Sequence, residues 1–369
     1  MDLRVPFVDL RAQYSSIQPG IDSAISSVIR EAAFIGGERV RSFEDAFAKA
    51  QGARHCVGVA NGTDALYIAM QVLGIGSGDE VITAANSWIS TSETISQTGA
   101  TPVFVDVDQY FNLDVGSVEA AITENTRAII PVHLFGQAAD MAALTRICEA
   151  NDVLLIEDCA QAHIASFEGK PVGTFGQVGT FSFYPGKNLG AYGDAGAIVC
   201  ADDELAVRIR RYANHGQLSK GDHQFEGINS RLDGIQAAIL NAKLPHLQDW
   251  TQARHRVAAT YDRMLEGVDD LVLPAIAEGR SHVFHLYVVR STRRDALREF
   301  LAARGIQTGI HYPTALPFLP AYKRFGYTPE QFPVAFRNQH QILSLPMYPE
   351  LSQEQLEYVV GAIREFYSL

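Results

Sequence analysis

Short apolar runs rich in valine, isoleucine and phenylalanine recur through the first two-thirds of the chain. They predict strands over residues 55–60, 81–85, 101–107, 127–134, 153–158, 179–184 and 196–200. Helical patterns lie between most of these runs. After the first, Ala65, Ile68, Ala69 and Val72 recur at helical spacing, and Leu66, Met70 and Leu73 widen the stripe. A helix apolar nearly all round is buried. Strands alternating with helices predict an α/β fold with a mostly parallel central sheet covered on both faces. Binding residues in such sheets belong at the carboxyl ends of the strands.

The alternation stops after Cys200. Long helical patterns follow over residues 205–212 and 230–255, the second interrupted by Pro245, which should kink or end a helix. Beyond about residue 250 come a helix to Leu265, a strand over 282–290, a helix over 294–304 and a helix near the end. His282 and His285 are expected on one face of that strand, which could meet either solvent or the cleft. This pattern divides the chain into a large domain, 1–250, and a small C-terminal α/β domain, 251–369.

Composition narrows the function classes. The chain has 369 residues, 47% of them hydrophobic and 20% charged, which suits packed domains rather than disorder. The net charge is -12, and no cluster of lysine and arginine supplies the basic footprint that nucleic-acid binding needs. A few local cations can still serve an anionic substrate. No signal peptide is expected at MDLRVPFVDLRAQY, and no apolar run approaches the length of a membrane span, so a cytoplasmic protein is expected. Cys56, Cys148, Cys159 and Cys200 form no CxxC pair and are expected to be buried free thiols. No metal site is expected.

Three segments can carry chemistry. In GTFSFYPGKNLGAYGDAGAIV a strand runs into Pro185-Gly186, and Lys187 follows in a glycine-rich loop. Burial there would lower the amine pKa, as Schiff-base chemistry requires; a plain surface lysine is the alternative. In VLLIEDCAQAH the apolar strand places Glu157 and Asp158 at its carboxyl end, pointing opposite ways. A carboxylate buried there needs a partner, such as a protonated ring nitrogen or an arginine. Gln161 returns to the same place one helical turn later. A capping carboxylate is the alternative. In HCVGVANGTDALYIAM a strand meets a helix at Asn61-Gly62-Thr63-Asp64. Backbone N–H groups there suit a phosphate, with Gly62 allowing close approach and Thr63 adding a hydroxyl; an ordinary N-cap is the alternative. A phosphate cradle, a buried carboxylate and a loop lysine are together the three anchors that pyridoxal 5′-phosphate (PLP) needs. A dinucleotide reading is poorer, because no GxGxxG follows an early strand.

NGTDAL, IEDCAQAH, FSFYPGKNLGAYGDAGA and GINSRLDGIQAAIL occur in this order. With them the chain resembles the DegT/DnrJ/EryC1/StrS aminotransferases, PLP enzymes of fold type I that act on nucleotide-linked keto sugars. The likeness runs from VPFVDL to LSLPMYPEL. It implies that Lys187 carries the cofactor as a Schiff base and later moves the substrate proton. It implies that Asp158 partners the pyridine nitrogen and keeps it protonated, making the ring a better electron sink. Gln161 is expected near the ring oxygen, Gly62, Thr63 and Ser182 around the phosphate, and Trp88 stacked on the ring. Asn229 matches an asparagine that reaches the cofactor of a neighbouring subunit, which implies a homodimer with shared active sites. Arg231 would suit an anionic substrate group across that interface, with His215 a weaker candidate. His311 and Tyr312 are expected to contact substrate, and His133 and His163 to be structural. Two departures stand out: Ile164 where relatives carry glycine, and Cys159 where alanine is common.

The reaction implied is ping-pong transamination from an amino acid, L-glutamate by expectation, to a dTDP- or UDP-linked keto sugar. FYPGKNLGAYGDAGA is most similar to enzymes that aminate C3. The pathway would make a surface polysaccharide such as O-antigen, or a secondary metabolite. The alternatives are a silent sensor that binds PLP or a nucleotide sugar, and a sugar dehydratase, which would carry histidine in place of Lys187.

Overall fold

The structure, a computed structural model, describes residues 3–368. All seven runs expected before residue 200 form strands of one sheet: β1 His55–Val59, β2 Glu80–Ala84, β3 Thr101–Val105, β4 Thr126–Ile130, β5 Leu154–Asp158, β6 Val178–Ser182 and β7 Gly196–Cys200. Their order across the sheet is β1-β7-β6-β5-β4-β2-β3. Only β7 is antiparallel to its neighbours. The others all point one way, so the β6–β7 connection carrying Lys187 begins and ends at the carboxyl edge of the parallel strands.

The uniform apolarity of these strands reflects burial on both faces. Leu155 of β5, Phe181 of β6 and Val199 of β7 enter one core, with Phe43 and Phe47. Ile156, Val178 and Ile198, their alternates, enter the other with Ala65, Ile68, Ala69 and Val72 of the helix Gly62–Val72. That helix is buried almost all round, as its sequence requires.

Two N-terminal helices, Leu10–Glu31 and Glu38–Ala50, have no counterpart in the hydrophobic reading. The first buries only Gln13, Ile21 and Val28 and contains Pro19, so its apolar stripe is too sparse to signal a helix. The expected helix over 230–255 is divided at Pro245 into Gly234–Lys243, a short turn Leu244–His246, and Leu247–Leu265.

A third apolar core joins Val257 and Tyr261 to Leu297, Leu343 and Val359, and the N-terminal Val5 enters it too. Its two strands, β8 Tyr287–Arg290 and β9 Ile342–Leu345, pair antiparallel. A division at residue 250 falls inside Leu247–Leu265, which starts against the first core with Leu247 and passes into this one at Val257. Ala315, Tyr322 and Phe332 pack back onto the first core. The strand expected over 282–290 begins only at Tyr287. His282 and His285, three residues apart, therefore do not share a face: His282 stacks on Phe284, and His285 turns to the cavity described next.

Candidate active site

The ends of β1, β2, β4, β5 and β6 converge on a cavity of about 590 Å³ at the carboxyl edge of the sheet. Gly62 and Thr63, which follow β1, lie in its wall, as do Trp88 after β2 and Asp158 at the end of β5. Gln161, Ser182 and Lys187 complete that side, and His311 and Tyr312 close it from the C-terminal part.

At the junction of β1 with Gly62–Val72, Asn61 caps the helix, its Oδ1 accepting the Asp64 N–H at 2.8 Å. The capping and phosphate-cradle readings are therefore compatible. Gly62 has a specific reason to be glycine: a Cβ there would stand 2.7 Å from Ser182 Cβ. The two strand ends thus meet closely enough to put the helix N-terminus and the Ser182 hydroxyl on one small volume. Thr63 Oγ1 and Ser90 Oγ share a hydrogen bond of 2.7 Å beside it. Backbone N–H groups, hydroxyls and a glycine at a helix start suit a phosphate.

Glu157 and Asp158 part company as strand alternation requires. Glu157 is fully buried away from the cavity and accepts the N–H groups of Gly173, Phe175 and Gly176 at 2.6, 2.7 and 3.0 Å. His133 Nδ1 accepts the Ala139 N–H at 3.0 Å, so its Nε2 donates to Glu157 at 3.2 Å. Glu157, His133 and Cys159 lie close together, but these bonds already engage the carboxylate and the ring. Asp158 faces the cavity. Its Oδ2 accepts from Thr91 Oγ1 at 2.9 Å and its Oδ1 from the Ala160 N–H at 3.1 Å. Burial raises its pKa above the usual carboxylate value, against the pull of these two donors and of the Lys187 charge.

Lys187 is pushed down to about 8 by burial, although the negative charge of Asp158 works the other way. A buried loop lysine, not a surface one, is what the fold supplies. Gln161 Oε1 accepts the Phe135 N–H at 2.7 Å, which turns its amide nitrogen outward to donate to Tyr312 Oη at 3.1 Å. Trp88 is 58% exposed and lies tilted against Tyr312, with ring centroids 5.5 Å apart. His311 Nδ1 meets Ser344 Oγ at 2.8 Å. His163 is buried among Phe47, Phe181 and Phe183, and burial pushes its pKa down to about 3. Ile164 adopts a positive φ of 58°, which accounts for glycine being suited to that position. Cys159 is buried in the core, and all four cysteines are buried free thiols.

Asn229 and Arg231 do not line this cavity. Asn229 is exposed, and Arg231 Nη1 donates to Asn214 Oδ1 at 3.2 Å. His215 lies in the same loop region at a positive φ of 56°. Sequence reasoning missed Ser87 and Thr91, and left His285 open between solvent and the cleft; it lines the cavity. Thr91 follows Trp88 by three residues at a helix start, a spacing that could have drawn attention to it.

The family model of the DegT/DnrJ/EryC1/StrS aminotransferases matches residues 16–364. The chain belongs to that family. This aminotransferase is 48% identical to a protein of Geobacillus stearothermophilus named "Pleiotropic regulatory protein", over 99% of each chain. It is 43% identical to the dTDP-3-amino-3,4,6-trideoxy-alpha-D-glucose transaminase of Streptomyces venezuelae, over 98% of this chain and 96% of that one. Further relatives are named for aminating UDP-linked sugars. The solved structure of S. venezuelae DesV with a ketimine intermediate superimposes with a TM-score of 0.97 at 43% identity, covering 99% of both chains. The aminotransferase is PLP-dependent, of the α/β fold that these neighbours share. Among the described residues no helix is long and apolar enough to cross a membrane.

Proposed function

We propose that this aminotransferase transfers an amino group from an amino acid, L-glutamate, to C3 of a nucleotide-linked keto sugar in amino-sugar biosynthesis. The carrying observation is the convergence of Lys187, Asp158 and the Gly62–Ser182 contact on one cavity from three strand ends. The sugar is dTDP- or UDP-linked, in keeping with the names of the relatives.

When bound, PLP supplies an electron-poor ring that stabilises charge on the carbon losing its proton. The residues here would hold it as follows. Gly62, Thr63 and Ser182 receive the phosphate at the start of Gly62–Val72. Asp158, with one donor on each oxygen, presents its remaining lone pairs to the pyridine nitrogen. Gln161, fixed by the Phe135 N–H, offers an N–H toward the ring oxygen. Trp88 covers the ring face and excludes water. Lys187 would hold the cofactor through its amine and, when that amine is free, would hold the proton at the substrate carbon; a lowered pKa suits both tasks. His311 and Tyr312 contact the sugar. Asn229 and Arg231, outside this cavity, serve the site of a second copy in a homodimer. The enzyme works in the cytoplasm. We place its cofactor-holding part in residues 1–250 and a smaller domain in 251–369, in keeping with the separate apolar core there.

The name of the Geobacillus relative favours a second reading, a regulatory protein that binds the same ligands. One experiment separates the two. With 15N-labelled glutamate and a panel of 3-keto and 4-keto nucleotide sugars, the proposal expects 15N at C3 of one sugar product. Label at C4 refutes the position, and binding without turnover favours the regulatory reading.

A further inference from the structure

Lys243 ends the helix Gly234–Lys243, behind the loop that carries Lys187. It is fully buried. Its Nζ donates to the Gly190 carbonyl at 2.8 Å and to Gln13 Oε1 at 3.0 Å, and lies 4.2 Å from the centre of the Tyr192 ring. Gln236, two turns earlier on the same helix, accepts the Tyr192 N–H at 2.9 Å. One helix therefore grips the stretch after Lys187 at two points.

That stretch is folded tightly on itself. The Lys187 N–H donates to the Tyr184 carbonyl, and the Ala191 N–H to the Phe183 carbonyl, both at 2.8 Å. A Cβ at Gly190 would stand 2.4 Å from the Pro185 carbonyl oxygen. The Gly190 carbonyl, facing away, is the group that Lys243 holds.

Filling space does not explain this lysine. Among the described residues it has no salt bridge. Its hydrogen-bond partners are a carbonyl and an amide oxygen. The Glu350 carboxylate attracts it without contacting it and does not offset burial, and an ammonium buried with no carboxylate in contact opposes folding where methionine would not. The charged and titratable groups around it are Glu350, Arg254 on Leu247–Leu265, Tyr192, and Tyr14 on the N-terminal helix. Burial pushes the lysine down to about 8.

We propose that Lys243 is a positioning residue for Lys187, its ammonium fixing the Gly190 carbonyl so that the reactive amine is held toward Asp158. The proposal rests on the reading of Lys187 as the cofactor lysine. Lys243→Met tests it. In protein stripped of PLP, hydrogen exchange at the Ala191 and Tyr192 amides should accelerate about tenfold with the global unfolding midpoint unchanged or raised. In the loaded enzyme kcat should fall about tenfold with the sugar KM within about twofold, as misplacement of a reacting group predicts. Lys243→Arg, which keeps the charge, should restore both in part. Unchanged exchange and unchanged kcat overturn the proposal, as does a lowered midpoint with kcat per folded molecule intact. If Lys243→Met does not fold, Gln13→Met frees one donor and should give smaller changes of the same sign; no change there also overturns it. Lys187→Ala, run in parallel, tests the underlying reading separately, since exchange at the loop does not depend on it.

Discussion

Thr91 Oγ1 donates to Asp158 Oδ2 at 2.9 Å, and Thr91 is fully buried. Because its only proton goes to the carboxylate, the 2.8 Å contact with Ser87 Oγ must run from Ser87 to Thr91. Two hydroxyls thus feed one proton direction into Asp158 and favour its ionised form. Thr91→Val should weaken PLP binding about tenfold, and Thr91→Ser should nearly restore it. Equilibrium titration of the stripped protein with PLP measures both.

Gly62 and Ser182 make a second pair. A Cβ on residue 62 meets Ser182 Cβ at 2.7 Å, so Gly62→Ala must push the two strand ends apart. The expected cost is about 1–3 kcal/mol of stability together with a loss of PLP affinity. The double variant Gly62→Ala, Ser182→Gly should recover part of the stability, because the Cβ–Cβ clash is gone although Ser182 Cα stays at 3.2 Å, while affinity stays low. Thermal melts and PLP titration separate the two effects.

Much of this arrangement was legible along the chain. All seven strands are apolar on both faces, so their runs are uninterrupted and end where polar residues reach the cavity. Lys187, Asp158 and Gly62 were found for that reason. At the strand end Glu157 and Asp158 looked alike, and only the family resemblance singled out Asp158; the structure gives the physical reason, since the neighbouring loop donates three backbone N–H groups to Glu157. Thr91 sits in the hydroxyl-rich stretch NSWIST, where nothing local tells a buried donor from a capping side chain. The helix Leu10–Glu31 escaped because its buried residues are sparse. Lys243 drew no attention in the sequence, because nothing local tells a buried helix-terminal lysine from an exposed one, and only tertiary packing shows its burial.

The Lys187 amine, pushed down to about 8, becomes neutral at lower pH than an ordinary lysine. The rate at which the stripped enzyme captures PLP should therefore rise with pH and level off above about 8. Asp158 attracts the protonated amine and holds its pKa up against burial. Asp158→Asn removes that attraction, so the midpoint should move to lower pH. Stopped-flow absorbance across pH reads both, and an upward shift in the variant would contradict the electrostatic account.

Tyr312 Oη receives the Gln161 amide N–H at 3.1 Å. Tyr312→Phe releases that amide and removes a hydroxyl from the sugar side of the cavity. We expect kcat/KM for the sugar to fall about tenfold, as loss of one hydrogen-bonding group implies, with PLP affinity within about twofold. Steady-state kinetics and PLP titration together distinguish this from a cofactor defect.

The central claim is that Lys187 carries PLP in an aminotransferase, and absorbance tests it most directly. Purified protein supplied with PLP should show a long-wavelength band that glutamate converts to the band of the aminated cofactor, and Lys187→Ala should fail to make that conversion. A wild-type protein that gains no band with PLP, or a Lys187→Ala variant that converts it as well as wild type, would contradict the account.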